Sequence, residues 1–235
     1  MINVRAEPAP TAQLRPTTWP MGTPQWAALL ASYLGLVAIW TGLGLALTGP
    51  LENTAVVRFD ERVAVWFAKH RTPTLDTYTL WGSELSGTLI KIIATALLAL
   101  VLFLIWRSWI EPLLLALSLI LEAATFITVT WLVGRPRPDV PRLEGSPVDS
   151  SFPSGHAAAA AAYGALVVIV FRRTDRRSVR SLAVVLCIAI PAVVGLSRMY
   201  RGMHYLSDVL AGVLLGVASV ILTAVILSPE VRRSE

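Results

Sequence analysis

Long apolar runs separated by short polar joins set the pattern of this chain. Six runs cover about Trp26–Thr48, Gly87–Trp106, Ile110–Val133, His156–Phe171, Ser181–Leu196 and Ser207–Leu227. Crossing a bilayer takes roughly 20 mostly apolar residues in a helix, so each run predicts a transmembrane helix. The fourth and fifth are short and must draw length from their flanks. Between the first two runs, Val57, Phe59, Val63, Val65, Trp66 and Phe67 alternate with Arg58, Asp60, Glu61, Arg62 and Lys69. That mixture predicts a helix lying in the membrane interface, apolar side down. Thr72-Pro73 ends it, and a second short helix is expected over Leu75 to Trp81. His70 falls at this interface and reads as a solvated surface histidine.

Composition agrees with a membrane protein. Hydrophobic residues make up 55% of the chain and charged residues 15%, with a mean hydropathy of +0.65. The fold class expected is therefore all-α, with six transmembrane helices and an external interfacial helix. Residues 1–24, rich in Pro, Ala and Thr, read as a disordered cytoplasmic tail. Residues 25–229 form the six-span domain, and 230–235 a second cytoplasmic tail. Cys187 is the one cysteine and lies mid-span, so no intrachain disulfide can form.

Charge adds direction. A net charge of +5 could suggest nucleic acid, but its distribution argues against that partner. Arg172, Arg173, Arg176, Arg177 and Arg180 crowd one short inter-span loop against a single Asp175. The positive-inside rule puts that loop in the cytoplasm. Six spans then place both termini inside, and the joins at 134–156 and 197–206 outside. The arginines of those two joins break the rule, as expected of residues held in a site.

The first of these joins opens with Arg135 and Arg137 and closes with Pro153-Ser154-Gly155-His156, where an alanine-rich run begins. Ser154, Gly155 and His156 thus stand at a helix N-terminus, where free N–H groups and the helix dipole favour an anion. The second join carries Ser197, Arg198, Arg201, His204 and Asp208. In a helix starting near His204, that histidine and Asp208 share a face. The chain has three histidines, and two of them sit at these joins. Arginines, imidazoles, a hydroxyl and a carboxylate together suit phosphoryl transfer. The loop acids Asp139, Glu144 and Asp149 lack the spacing of a metal cage, so no metal or other cofactor is expected.

Arg137-Pro138, then Pro153-Ser154-Gly155-His156, then Ser197-Arg198 with His204 and Asp208 resemble the three signature motifs of the type 2 phosphatidic acid phosphatase family. These membrane lipid phosphatases share a core with vanadium haloperoxidases. The resemblance spans roughly Trp26 to Leu227. It implies His204 as nucleophile forming a phosphohistidine and His156 as general acid. Asp208 would orient His204, while Arg137, Ser154, Gly155 and Arg198 hold the phosphate, with Arg201 as a further candidate. The implied substrate is a lipid phosphate or diphosphate, met at the outer face. One departure stands out: the family's lysine, seven residues before the Arg-Pro pair, is Thr130 here. Lys91, near the outer end of the second span, is a candidate for the missing cation, or a lysine snorkelling to the interface. Glu122, deep in the third span, reads as a protonated or hydrogen-bonded packing residue. Two other uses of the chain stay open: a phosphotransferase acting through the same site, and a lipid transporter without chemistry. The lipid tail and the oligomeric state are not set by these motifs.

Overall fold

The computed structural model describes residues 19–85, 87–145 and 149–228. The cytoplasmic tails expected at 1–24 and 230–235 fall largely or wholly outside the described residues. Those described are helical with connecting loops, and strands are absent among them. In chain order the helices are α1 (Thr23–Thr48), α2 (Ala55–Lys69), α3 (Pro73–Glu84), α4 (Thr88–Trp106), α5 (Ile110–Val133), α6 (Gly155–Ala162), α7 (Ala165–Arg173), α8 (Arg177–Tyr200) and α9 (Leu206–Ile226). Six helical stretches among the described residues have the length and hydropathy to cross a membrane: α1, α4, α5, α6 with α7, α8 and α9. The protein is a multi-span membrane protein.

Several boundaries depart from the expected ones for physical reasons. The fourth span is a pair of helices, broken at Tyr163 and Gly164. A side chain at Gly164 would meet the Ala161 carbonyl oxygen at 2.9 Å and the Cys187 sulfur at 3.2 Å, so glycine lets the chain turn there against α8. The fifth span starts at Arg177 rather than Ser181 and reaches Tyr200, with Pro191 in its interior. Arginine stems can extend an apolar helix while their heads stay in water. The short helix after the interfacial one begins at Pro73, with Thr72 Oγ1 accepting from the Leu75 N–H at 3.3 Å. Proline suits a first helical turn, whose N–H has no partner in any case.

α6 lies at the centre. Ala157 through Ala162 are buried, and α9 packs against this small-residue face, as do α5 and α8. Gly212 and Gly216 make the α9 contact close: a Cβ at either would lie 2.4 Å from the Ser154 carbonyl oxygen or 2.2 Å from that of Ala158. Trp40 of α1 reaches across to donate to the Ala211 carbonyl at 2.9 Å.

The interfacial helix α2 also packs against the bundle. α2 buries Val57, Asp60 and Ala64 against α8 and α9, and leaves Val56, Phe59 and Trp66 exposed. The side that faces the protein therefore includes a carboxylate.

Candidate active site

The helix ends that carry the motifs meet at one end of the bundle. α5 ends at Gly134, whose φ of +59° suits glycine as the chain leaves the helix. From there the 134–154 loop is tied down at both ends. The Ser151 N–H donates to the Arg135 carbonyl at 2.8 Å, and the Ser154 N–H to the Asp208 carbonyl at 3.0 Å. Ser151 Oγ donates to the Pro136 carbonyl at 3.0 Å. These bonds hold the first join against the start of α9.

His204 is buried, with its Nδ1 2.7 Å from the Ser151 carbonyl oxygen. A carbonyl only accepts, so Nδ1 carries the proton and Nε2 presents a lone pair. Burial, then the charges of Arg198 and Arg137, hold His204 well below the ordinary imidazole value, against the pull of the Ser151 bond. The ring is therefore neutral near pH 7. His156 lies within electrostatic reach of His204, and Arg137 within reach of both.

This corrects one expectation. Asp208 does not hydrogen-bond His204; its Oδ2 stands 4.0 Å from Nδ1. The carboxylate is spent elsewhere: Oδ1 accepts from Arg135 Nη1 at 2.6 Å and Oδ2 from the Tyr205 N–H at 2.9 Å. The group that fixes the His204 tautomer is the Ser151 backbone, which no side-chain pattern could reveal.

Arg135 has a second carboxylate. Its Nη2 donates to Asp60 Oδ2 at 3.0 Å, and Tyr205 stacks on its guanidinium at 4.3 Å. Burial opposes its charge, but Asp208 and Asp60 outweigh burial and hold Arg135 above the ordinary arginine value. Asp60 also accepts from the Ser207 N–H at 3.0 Å and from the Ser207 hydroxyl. Thus α2, α5's exit loop and the first turn of α9 are pinned through one guanidinium.

Arg137 donates through Nη1 to the Met203 carbonyl at 2.5 Å, and burial, opposed by Asp208, holds it below the ordinary arginine value. Arg198 donates to Ser83 Oγ at 2.7 Å and pairs with Glu144. Arg201 donates through Nε to the same carboxylate at 2.9 Å. Ser154 Oγ is buried with no hydrogen-bond partner among the described residues, and Gly155 packs so close to Phe126 that a Cβ would lie 2.8 Å from its ring.

Thr130 is buried and points its hydroxyl to the Phe152 carbonyl at 3.4 Å, so it supplies no cation. Lys91, on α4, lies within electrostatic reach of both His156 and Glu122. Glu122 is fully buried, yet neither carboxylate oxygen has a hydrogen-bond partner among the described residues. His70 is exposed as expected, stacked on Trp66 at 4.4 Å with Nδ1 2.7 Å from the Trp66 carbonyl. Beside the site, a largely apolar cavity of about 370 Å³ opens between α2, α3 and α8, lined by Trp66, Phe67, Tyr78, Leu196, Ser197 and Tyr200 among others.

With this arrangement in view, residues 111–232, just over half the chain, match the PAP2 superfamily. This chain belongs to the PAP2 superfamily. A stretch of 82 residues is 38% identical to the bacitracin transport permease protein BcrC of Bacillus licheniformis, and covers 35% of this chain and 36% of that one. The match thus spans about a third of the curated relative's length. Among solved structures, a transmembrane PAP2 type phosphatidylglycerolphosphate phosphatase from Bacillus subtilis aligns with a TM-score of 0.68 and 24% identity. It covers 84% of this chain and 92% of that one. Aquifex aeolicus LpxE aligns with a TM-score of 0.54 and 23% identity, over 69% of this chain and 92% of that one. At these identities the two structures speak for the fold. In this PAP2 chain, Asp60, Arg135, Ser151 and Glu144 join the residues singled out by the motifs. Asp60 and Glu144 lie outside every motif, and only their buried partners mark them.

Proposed function

We propose that this protein is an integral membrane phosphatase that hydrolyses lipid phosphates or diphosphates through a phosphohistidine, at the extracytoplasmic face. The observation that carries the reading is His204: neutral, buried, its Nδ1 proton fixed by a backbone carbonyl and its surroundings cationic. In the proposed step, Nε2 attacks phosphorus and the bond to the leaving oxygen breaks, while His156 gives that oxygen a proton. Water then attacks the phosphohistidine, giving a proton back to His156 as the N–P bond breaks, which releases phosphate and restores the His204 imidazole. Arg137 and Arg198 meet the equatorial oxygens, with Ser154 Oγ and the Gly155 N–H as further donors at the start of α6. Lys91 takes the place of the cation absent at Thr130. Guanidiniums supply the charge, so the reaction needs no divalent ion. The apolar cavity beside Ser197 is of a size and lining to take part of a lipid tail.

Leaving-group chemistry tests the two histidines. A lipid monophosphate expels an alkoxide, whose conjugate acid is about as weak as water. A diphosphate expels a phosphate monoester with a second pKa of about 6. Purified enzyme is assayed for free phosphate on both, in the presence of chelator. His204→Ala is expected to abolish both reactions, and His156→Ala to abolish the first while sparing much of the second. Equal loss on both substrates would withdraw His156 as the acid. Loss of all activity in chelator, restored by a divalent ion, would overturn the metal-independent mechanism. Lys91→Ala is expected to cost on the order of 10²-fold in rate; near-normal turnover would leave it a surface lysine. Phosphate passed to an added alcohol in preference to water would favour the phosphotransferase reading.

A further inference from the structure

Arg198 and Arg201 already hold an anion. One Glu144 carboxylate oxygen accepts from Arg198 Nη1, and the other from Arg201 Nε at 2.9 Å. We propose that Glu144 is a built-in stand-in for the substrate's phosphate, occupying the anion position between Arg198 and Arg201 until a phosphate displaces it. The inference rests on the phosphatase reading above, in which Arg198 binds phosphate.

Three observations support a placeholder over a structural brace. First, the arrangement of one oxygen on each of two guanidiniums is how an oxyanion bridges a pair of arginines. Second, the exposure is lopsided: each arginine side chain is 6% exposed, and Glu144 is 19% exposed. The carboxylate is the outermost member, and can leave without either arginine moving. Third, the arginines have other supports. Arg198 is held by Ser83 Oγ at 2.7 Å. Arg201 Nη1 and Nη2 are held by the Asp76 and Leu143 carbonyls, each at 3.1 Å. Removing the Glu144 charge leaves the cradle standing.

The chemistry then favours exchange in both directions. A lipid monophosphate carries a charge of about −1.5 to −2 with three acceptor oxygens, against −1 and two oxygens for the carboxylate, so it wins the position. After hydrolysis the returning carboxylate competes with inorganic phosphate and speeds its release. Glu144 therefore lowers affinity for every phosphate species at the site, product included.

Glu84 provides the control, since it lies within electrostatic reach of Arg198 but makes no hydrogen bond to it among the described residues. Glu144→Gln and Glu84→Gln remove the same charge, but only the first alters the occupied position. Binding of inorganic phosphate to the full-length protein in detergent is measured by calorimetry, which needs no turnover. A failure of the phosphatase reading is thus kept distinct from a failure of this one. Glu144→Gln is expected to tighten phosphate binding on the order of tenfold, the scale of one charge-assisted hydrogen bond, with Glu144→Ala behaving alike. Glu84→Gln is expected to change it by less than about twofold, as for an exposed charge. Unchanged or weaker binding in both Glu144 variants makes Glu144 a brace and overturns the proposal. Equal tightening in Glu84→Gln reduces the effect to general electrostatics and overturns it as well.

Discussion

Arg135 keeps its positive charge where water hardly reaches, and two carboxylates from different helices meet it there. A buried charge left short of a partner is costly, whereas a surface pair is worth little. Asp60→Asn removes one counter-charge and weakens the anchor of the Ser207 N–H at the start of α9. It is expected to destabilise the protein by about 1.5–3 kcal/mol and to lower turnover, because His204 sits two residues before that helix. Thermal unfolding in detergent and phosphate release check both. Glu61→Gln, one residue along on the exposed side, is expected to change neither. An Asp60→Asn protein with native melting and rate would show that Asp208 alone is enough to hold Arg135. Nothing in the sequence marks Asp60, because Arg58, Glu61 and Arg62 beside it carry the same polar signal. Its partner lies 75 residues away along the chain. His204 and Arg198 are legible by contrast, since a short motif fixes their identity and spacing. The carbonyl that orients His204 is not, since every residue has one.

At the scale of elements, the six spans are legible because hydropathy over some 20 residues is a strong signal. The break at Tyr163–Gly164 is not, with apolar residues on both sides of it. The contact between α6 and α9 has more consequence for the site than either helix alone. α6 begins at Gly155, so the position of Ser154, Gly155 and His156 depends on how closely α9 approaches. Gly212→Ala sets a methyl group 2.4 Å from the Ser154 carbonyl oxygen. Backbone must shift, at a cost of about 1–3 kcal/mol, and Ser154, Gly155 and His156 shift with it. Turnover is expected to fall by more than the melting temperature alone would suggest. Gly42→Ala on α1, where nothing lies within 4 Å, is the matched control. It is expected to leave the rate unchanged and, by helix propensity, to stabilise slightly. Full turnover in Gly212→Ala would show that α6 tolerates a displaced partner.

The whole molecule has two unlike ends. At one, α7 leads into α8 through the arginine-rich loop, with Arg173 paired to Glu111 at the start of α5 and Arg172 donating to the Ala224 carbonyl of α9 at 3.2 Å. The motifs occupy the other. If the basic end is cytoplasmic, as the positive-inside rule requires, the motifs face outward. With Cys187 replaced by serine, a cysteine at Asp149 is expected to react with a membrane-impermeant thiol reagent in intact cells, and one at Asp175 only after lysis. The reverse pattern would turn the protein over. The site also has a bearing on how portable this architecture is. The stretch shared with the superfamily begins at residue 111, but Asp60, Ser83 and Asp76, which hold Arg135, Arg198 and Arg201, all come before it. The smallest unit that could be grafted into another scaffold with its guanidiniums still in place therefore begins with α2. The piece of chain that bears the family likeness is not closed on itself.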